Sequence, residues 1–424
     1  MKSLAEFVSL HLEDDTTRLI LNKGKWPETD VEMAVNCIES RRKLRGKVQE
    51  WYEIPELVFP NRISAEQCSS SATAGYKARL AERIATMEAD DVRWKIADLT
   101  GGLGVDSWFF SQKADAVLYN EMQSQLCKAA EYNFGILSAD NITVTGNCID
   151  SDNIHEILDG FGPDIIYLDP ARRSTSGKKV FLIEECTPDV LTLKDQMFEI
   201  SRHILIKLSP MADITMVCGR LGSRCREVHI VSAGGECKEL LVWMDREWEG
   251  AYSIVPTEID RNGYHTPFTF TQQEERESGA VIFKQAKEVP DGNGLFLFEP
   301  GKSLMKAGPF NLISNIFGMP ELGKSTHYYI TEDKEKAAEL CRHGKVYSIL
   351  EMEKLDKRSI RKAGEKYRKA EVTARNIQID TETFRKKLCV TSGDDAHIFG
   401  LHSDIYGNLL LCTKRMFEQD LEAH

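Results

Sequence analysis

The sequence predicts an α/β protein: a mostly parallel seven-stranded sheet closed by an antiparallel hairpin, with a helical region before it and α+β segments after it. Three observations carry this expectation. Short apolar runs alternate with helical stretches from Lys95 to Leu208. Two later runs are separated only by Ser232–Lys238, which contains Gly234 and Gly235. Beyond Gly250 the alternation stops. Alternation at this spacing is the pattern of parallel strands covered by helices, and a short glycine turn joins antiparallel neighbours only.

The elements follow in order. Leu4, Phe7, Val8 and His11 recur at helical spacing, as do Val31, Ala34, Val35 and Ile38, with Pro27 and Pro55 as punctuation. Ser64 and Gln67 read as a capping box and predict a helix from there to about Met87. This leading region shows no evident chemistry. The strand-like runs are Ile96–Leu99, Ala116–Tyr119, Ile142–Thr145, Ile165–Leu168 and His203–Leu208. Glu227–Val231 and Glu239–Met244 form the hairpin, which puts one antiparallel strand at the edge of the sheet. Further on, Val281–Phe283 and Leu295–Phe298 read as strands and Leu304–Ile316 as a helix. Val346–Met352 reads as a strand, Lys354–Lys369 as a basic helix, and Val372–Ile379, Ile398–Leu401 and Leu409–Cys412 as short strands.

Composition narrows the function classes. A chain of 424 residues with 42% hydrophobic content buries a sizeable core and exceeds one ordinary domain. No apolar run approaches 18 residues, so no membrane span is expected. Glu6, Glu13 and Asp14 interrupt the start, against a secretory signal. The eleven cysteines are odd in number and never spaced Cys-x-x-Cys, so free thiols in a reducing cytoplasm are expected rather than disulfides or a metal site. The net charge of −12 argues against a general nucleic-acid coat. The charge is segregated, however. Cys341–Val390 holds fourteen Lys and Arg against seven Asp and Glu, a net of +7 that leaves −19 on the rest.

Chemistry concentrates at the strand ends. Asp98-Leu-Thr100-Gly101-Gly102-Leu-Gly104-Val-Asp106 follows the first strand and precedes a helix. Its glycines permit positive φ and close approach of a ligand at the carboxyl end of a strand. The dinucleotide fingerprint fails, because its last glycine is Ser107 here. Asp98 at the strand end suits a cationic amino group better than a pyrophosphate. Glu121 ends the second strand, 23 residues after Asp98, where a carboxylate can accept hydrogen bonds from a ribose diol. Gly146-Asn147-Cys148 ends the third. Asp164-Ile-Ile-Tyr-Leu-Asp169-Pro170-Ala-Arg172-Arg173 ends the fourth. There an acid is followed by a proline, which fixes φ and removes a donor so that the neighbouring carbonyl can face a substrate. A simple strand-capping turn is the plainer reading of Asp169-Pro170. Arg172, Arg173, Lys178 and Lys179 crowd the next loop and suit a phosphate-bearing substrate, or are merely solvated.

Together these residues resemble the Rossmann-like class I S-adenosylmethionine-dependent methyltransferases over about Lys95–Trp248, whose sheet ends in such a hairpin. Asp-Pro-Ala-Arg-Arg at Asp169–Arg173 and Lys207-Leu-Ser-Pro210 resemble a narrower bacterial group with a THUMP-like domain at the carboxyl end. Arg375-Asn376, Phe384-Arg-Lys-Lys-Leu, Gly393-Asp-Asp and Ile398-Phe-Gly are similar to that domain, and Ser64–Ala81 is similar to the group's lead-in. The resemblance implies S-adenosylmethionine held by Asp98, Thr100, Gly101, Gly102, Gly104, Asp106, Glu121, Asn147 and Cys148. Asn147, or Asp150 in its stead, would take the adenine amino group. Asp169, Pro170 and Arg172 would act on the acceptor. By analogy with true THUMP domains the substrate would be RNA, tRNA among the RNAs, contacted by Arg173, Lys178, Lys179, Lys354, Lys357, Arg358, Arg361 and Lys362. The implied division is a helical region over 1–94, the transferase domain over 95–250, a small α+β domain over 251–340 with a ferredoxin-like arrangement as one option, and the THUMP-like domain over 341–424.

Two departures keep the acceptor open. Ala171 and Arg172 stand where amino-group methyltransferases carry a proline and an aromatic. No cysteine follows Arg173 before Cys186, whose acidic neighbours Glu184 and Glu185 disfavour a thiolate nucleophile. An RNA-binding protein with an inactive transferase-like fold, and a methyltransferase of protein or a small molecule, stay as alternatives.

Overall fold

The computed structural model describes residues 2–87, 93–172, 183–260, 263–264, 268–285 and 288–422. It divides into two compact units: 1–229 with 238–252, and 230–237 with 253–424.

The first unit opens with helices α1 (Lys2–Leu10) and α2 (Val31–Leu44). The four periodic positions Val31, Ala34, Val35 and Ile38 are all buried. Arg41 on α2 is buried too. Its two terminal guanidinium nitrogens donate to the carbonyls of Tyr52, Ile54, Pro55 and Leu57, so one buried cation fixes the turn after Trp51. The expected capping box is displaced. Asn61 caps a short helix α3 (Arg62–Gln67), so Ser64 lies within that helix. The long helix α4 (Ser71–Ala85) starts later, with Ser70 and Thr73 as its capping box. Trp51, Phe59, Ala65 and Ala74 share one apolar core with Leu103, Val105 and Leu126. A buried pair of hydrogen bonds ties the Val58 backbone to Asn133.

The sheet strands that lie wholly or mainly in this unit are β1 (Lys95–Asp98), β2 (Ala116–Asn120), β3 (Ile142–Thr145), β4 (Ile165–Leu168), β5 (His203–Leu208), β6 (Cys225–Ala233) and β7 (Glu236–Asp245). They run in the order β6-β7-β5-β4-β1-β2-β3. The first five are parallel to one another, and β7 is antiparallel to β5. The expected edge position of the antiparallel strand is corrected: β7 inserts beside β5 and β6 lies beyond it. The hairpin turn tightens to Gly234 and Gly235, both at positive φ, as a two-residue turn matched to strand twist requires. Chain order reverses at β1, between β2 and β4. The carboxyl ends of those strands therefore open a crevice, the position where open α/β sheets bind ligands.

The second unit contains a six-stranded sheet: β8 (Phe296–Pro300), β9 (Tyr329–Thr331), β10 (Gly344–Lys354), β11 (Lys369–Arg375), β12 (Thr391–Ser403) and β13 (Gly407–Met416), in the order β9-β8-β10-β13-β12-β11. All pairs are antiparallel except β11 with β12. Helices α6 (Lys357–Lys366) and α7 (Thr381–Leu388) cover one face through Ile360, Ala363, Phe384 and Leu388. Gly364 lets them meet, because a Cβ there would collide with the Leu388 carbonyl. The expected basic helix is shorter than its charge run, so Lys354 ends β10 and Lys369 begins β11. The expected helix Leu304–Ile316 is two helices, Lys302–Ala307 and Phe310–Ile316, parted by Gly308 and Pro309. Val281–Phe283 makes only an isolated bridge, Ile282 to Glu321. Among the described residues no helix is long and apolar enough to cross a membrane.

Candidate active site

One cavity in the first unit gathers the ends of β1 to β4. Asp98, Thr100, Gly101, Gly102 and Asp106 line it from the first turn, Glu121 from β2, Asn147 and Cys148 from β3, and Asp169 from β4. Met122, Leu126 and Ile149 give it an apolar side. Ser64, Gln67, Cys68 and Ser69 close it from the helical region, which sequence reasoning left without chemistry.

The glycines are required for different reasons. A Cβ on Gly101 would overlap the ring of Tyr119, which is fully buried and donates to the Gly102 carbonyl at 2.6 Å. Gly102 has φ +56° with open space around its missing Cβ, so only its backbone conformation demands glycine. Gly104, at φ +89°, starts helix α5 (Val105–Ser111), and a Cβ there would lie 2.6 Å from Phe134. It shapes the turn without lining the cavity.

The acids differ in what is left of them. Asp98 is 1% exposed. It accepts from Ser107 Oγ at 2.6 Å and from the Thr100 N–H at 3.1 Å. Burial pushes its pKa up to about 7 against those bonds. Glu121 accepts from the Gly102 N–H at 2.9 Å and the Gln123 N–H at 2.8 Å, one on each oxygen. Each oxygen keeps a second lone pair, so a fixed, doubly acceptor edge faces the cavity. Thr100 Oγ1 accepts from the Asp169 N–H at 2.6 Å, which couples the tips of β1 and β4. Asp169 Oδ2 is bound to Lys207 Nζ at 2.5 Å. Burial would lower the Lys207 pKa, but Asp169, Glu239 and Asp106 outweigh it and hold the ammonium charged. One Asp169 oxygen is thus committed to Lys207, and the other accepts no hydrogen bond from the described residues.

Other expected residues fall differently. Pro170 is buried beneath Asp169 rather than lining the cavity. Ala171–Arg172 pairs with Cys186–Thr187 as a short antiparallel ribbon, and Thr187 and Pro188 also line the cavity. Arg173, Lys178 and Lys179 lie outside the described residues. Asp150, the alternative to Asn147, does not line the cavity; its Oδ1 accepts from the Asp152 and Asn153 N–H groups. Asn147 lines the cavity because Asn120 bonds both its N–H and its carbonyl. Lys357, Arg358, Arg361 and Lys362 are exposed on α6, with Lys354 exposed just before it.

Sequence reasoning missed Asn120 and, above all, Lys77. Lys77 shares the buried face of α4 with Ala74, Ala78 and Ala81. A lone lysine on an otherwise apolar stripe was the available signal.

Comparison with known proteins adds two domains and a fold. Residues 296–337 match a ferredoxin-like domain and residues 344–414 a THUMP domain-like family. Nothing among curated proteins matches the chain significantly. A crystal structure from Porphyromonas gingivalis W83, provisionally named a methyltransferase, is 26% identical, with a TM-score of 0.81 and 97% of each chain covered. An rRNA methylase from Streptococcus thermophilus is 12% identical, covering 39% of this chain and 94% of its own, with a TM-score of only 0.29. The chain therefore carries the class I methyltransferase fold, followed by a ferredoxin-like and a THUMP-like domain.

Proposed function

We propose that the chain is an S-adenosylmethionine-dependent methyltransferase acting on a nucleotide in structured RNA, in a reducing cytoplasm that suits its eleven free thiols. One observation carries the reading: the glycine turn, Glu121 and Asp169 line a single cavity at the switch point of the sheet. The cavity fits the cofactor chemically. Gly101 and Gly102 leave backbone open to a ligand, Glu121 offers a fixed acceptor edge for a ribose diol, and Met122, Leu126 and Ile149 offer apolar surface beside Asn147 for adenine. The cofactor would supply a methyl group on an electrophilic sulfonium. The protein would supply position: Asp169, steadied by Lys207 and by Thr100, orients the acceptor, and holding two reactants in line is a large part of such catalysis. RNA as the acceptor is supported by the THUMP-like match and by the exposed cations of α6; tRNA stands by analogy alone.

The test is to incubate the protein with methyl-labelled S-adenosylmethionine and separated bacterial RNA and protein fractions. Label should enter RNA, and Asp169→Ala should nearly abolish transfer while leaving cofactor affinity within a few-fold. Label in protein or small molecules would replace the acceptor, and cofactor binding without any transfer would favour an inactive RNA-binding protein.

A further inference from the structure

We propose that Ser64 and Gln67, on helix α3 of the helical region, read the nucleobase that accepts the methyl group. The proposal rests on the transferase reading above and deepens it, because the base-recognising wall then comes from outside the sheet.

Most of α3 has a structural task. Arg62 pairs with Glu39 at 3.0 Å and Glu66 with Lys43 at 3.2 Å. Ala65 is fully buried in the apolar core with Trp51 and Phe59. Ile63 is exposed and does not line the cavity. Ser64 and Gln67 remain. Three apart in sequence, they share one face of the helix, and they are the two residues of α3 that line the cavity. Neither the Ser64 hydroxyl nor the Gln67 carboxamide makes a hydrogen bond among the described residues. Gln67 is exposed and Ser64 half-buried, so neither is sealed off.

This unpartnered face is held still. Asn61 caps the start of α3. At its end Lys47 Nζ donates to the carbonyls of Ala65 at 3.2 Å and Glu66 at 2.6 Å, and the Cys68 N–H donates to the Ser64 carbonyl at 2.9 Å. The segment that follows is tied to the acceptor side of the sheet. Ser69 donates to Asp106 at 2.9 Å, and the same Asp106 oxygen accepts from Tyr167 of β4 at 2.8 Å. Burial pushes the Cys68 thiol up, and the charges that act on it are Lys47, Asp106 and Lys207, the counter-ion of Asp169.

The chemistry of the pair selects its ligand. A hydroxyl and a carboxamide are neutral, and each both donates and accepts. A phosphate would need a free cation instead. Lys47 is engaged by carbonyls and Lys207 by Asp169, while Lys238, which also bears on Lys47, is exposed and does not line the cavity. Asp98, Asp106, Glu121 and Asp169 line the cavity and repel an anion further. An uncharged ring edge with a donor beside an acceptor, the pattern of a nucleobase, matches a carboxamide through two hydrogen bonds. Ala171 and Pro188 in the same cavity give such a ring apolar neighbours.

The test uses the full chain with methyl-labelled S-adenosylmethionine and total bacterial RNA, digested afterwards to nucleosides. Calorimetry with S-adenosylhomocysteine reads the cofactor site separately. Gln67→Leu should slow transfer about tenfold or more, as the loss of paired hydrogen bonds with their partners left unmet requires. S-adenosylhomocysteine affinity should stay within about twofold, and the melting midpoint within about 2 °C. Ser64→Ala should slow transfer several-fold. In both variants a larger share of the remaining label should fall on nucleosides other than the wild type's principal product, which a merely structural wall would not cause. Parallel losses of S-adenosylhomocysteine affinity and transfer would put the pair on the cofactor and overturn the proposal. A Ser64→Ala/Gln67→Leu protein with wild-type rate and nucleoside pattern would overturn it too. If the wild type does not bind S-adenosylhomocysteine, the transferase reading itself fails. If it binds the probe but labels no RNA, the acceptor reading fails. Either result takes this proposal with it.

Discussion

Lysines make close ion pairs in both units, to different physical ends. In the first unit Lys77 meets Glu239 at 2.8 Å with side-chain exposures of 0% and 3%. In the second, Lys362 meets Glu353 at 2.5 Å with exposures of 54% and 39%. The distances are alike, but the solvent is not. Removing one partner of the buried pair strands a charge in a poorly polarisable interior, which costs about 3–5 kcal/mol in comparable cases. The exposed pair is screened by water and salt and its loss is nearly silent. The difference teaches how to read charge in this molecule: in the first unit it fixes geometry around a cavity, and in the second it remains available to an outside partner.

The largest effect expected from this comparison is at Lys207. Lys207→Met would leave Asp169 beside the cavity without its counter-ion, and Glu239 and Asp106 short of one of their two cations. Stability should fall by about 3 kcal/mol or more in chemical denaturation, and methyl transfer should be lost more completely than cofactor binding. A variant with wild-type stability and turnover would show that the pair is peripheral and erase the contrast between the units.

Asp98 gives a second, pH-dependent test. Its pKa is about 7 in the folded chain against an ordinary value of 3.8, so between those limits the folded state holds a proton that the unfolded chain has released. Its contribution to stability is therefore complete below about pH 4 and is lost as pH rises through about 7. Asp98→Asn removes that slope. Relative to wild type the variant should gain stability between pH 5 and pH 8, by an amount on the order of 2–4 kcal/mol. Denaturation curves at the two pH values decide it: a parallel shift of both would mean that Asp98 is ionised throughout.

The same contrast explains what could be read from the sequence. Parallel strands buried on both faces are largely apolar runs between turn residues, and Ile165–Leu168 and His203–Leu208 stand in the structure with the ends expected, as does Ile142–Thr145 at the sheet's edge, where no residue is fully buried. Where two local signals compete, one overrides the other. Asn61 and Ser70 took the caps assigned to Ser64, and Gly308 with Pro309 cut a helix whose periodicity ran on. The cavity's glycine turn and acids were legible because each sits at a strand end. The partnership of Lys77 with Glu239 was not, since it joins residues 162 apart in sequence. Spelling without context also misleads in the other direction. Gly318–Ser325 has the letters of a phosphate-binding loop, G-x-x-x-x-G-K-S, but strand β9 follows it instead of a helix, and Glu321 within it is buried in bridges to Ile282 and Tyr329.

The smallest effect on stability, and the sharpest separation of the two units, is expected on α6. Its cations are not alike. Lys362 is held by Glu351 and Glu353, and Arg361 by Glu365. Lys354, Lys357 and Arg358 form no ion pair among the described residues, although all three are exposed. A cation already paired must surrender a carboxylate to bind a phosphate, whereas a free one releases only condensed counter-ions from the nucleic acid. The free three should therefore carry more of any RNA affinity than the paired two. Reversing Lys354, Lys357 and Arg358 to Glu should leave the melting midpoint within about 2 °C and cofactor affinity unchanged. It should weaken RNA binding and reduce the slope of log affinity against log salt by about 2, roughly 0.7 for each phosphate no longer neutralised on a single strand. Reversing Arg361 and Lys362 should do less to both. Equal losses from the two sets would mean that the intramolecular pairs open freely and that only total charge matters. No loss from either would mean that RNA, if it binds, binds elsewhere, and that the positive surface of the second unit serves only to keep it solvated.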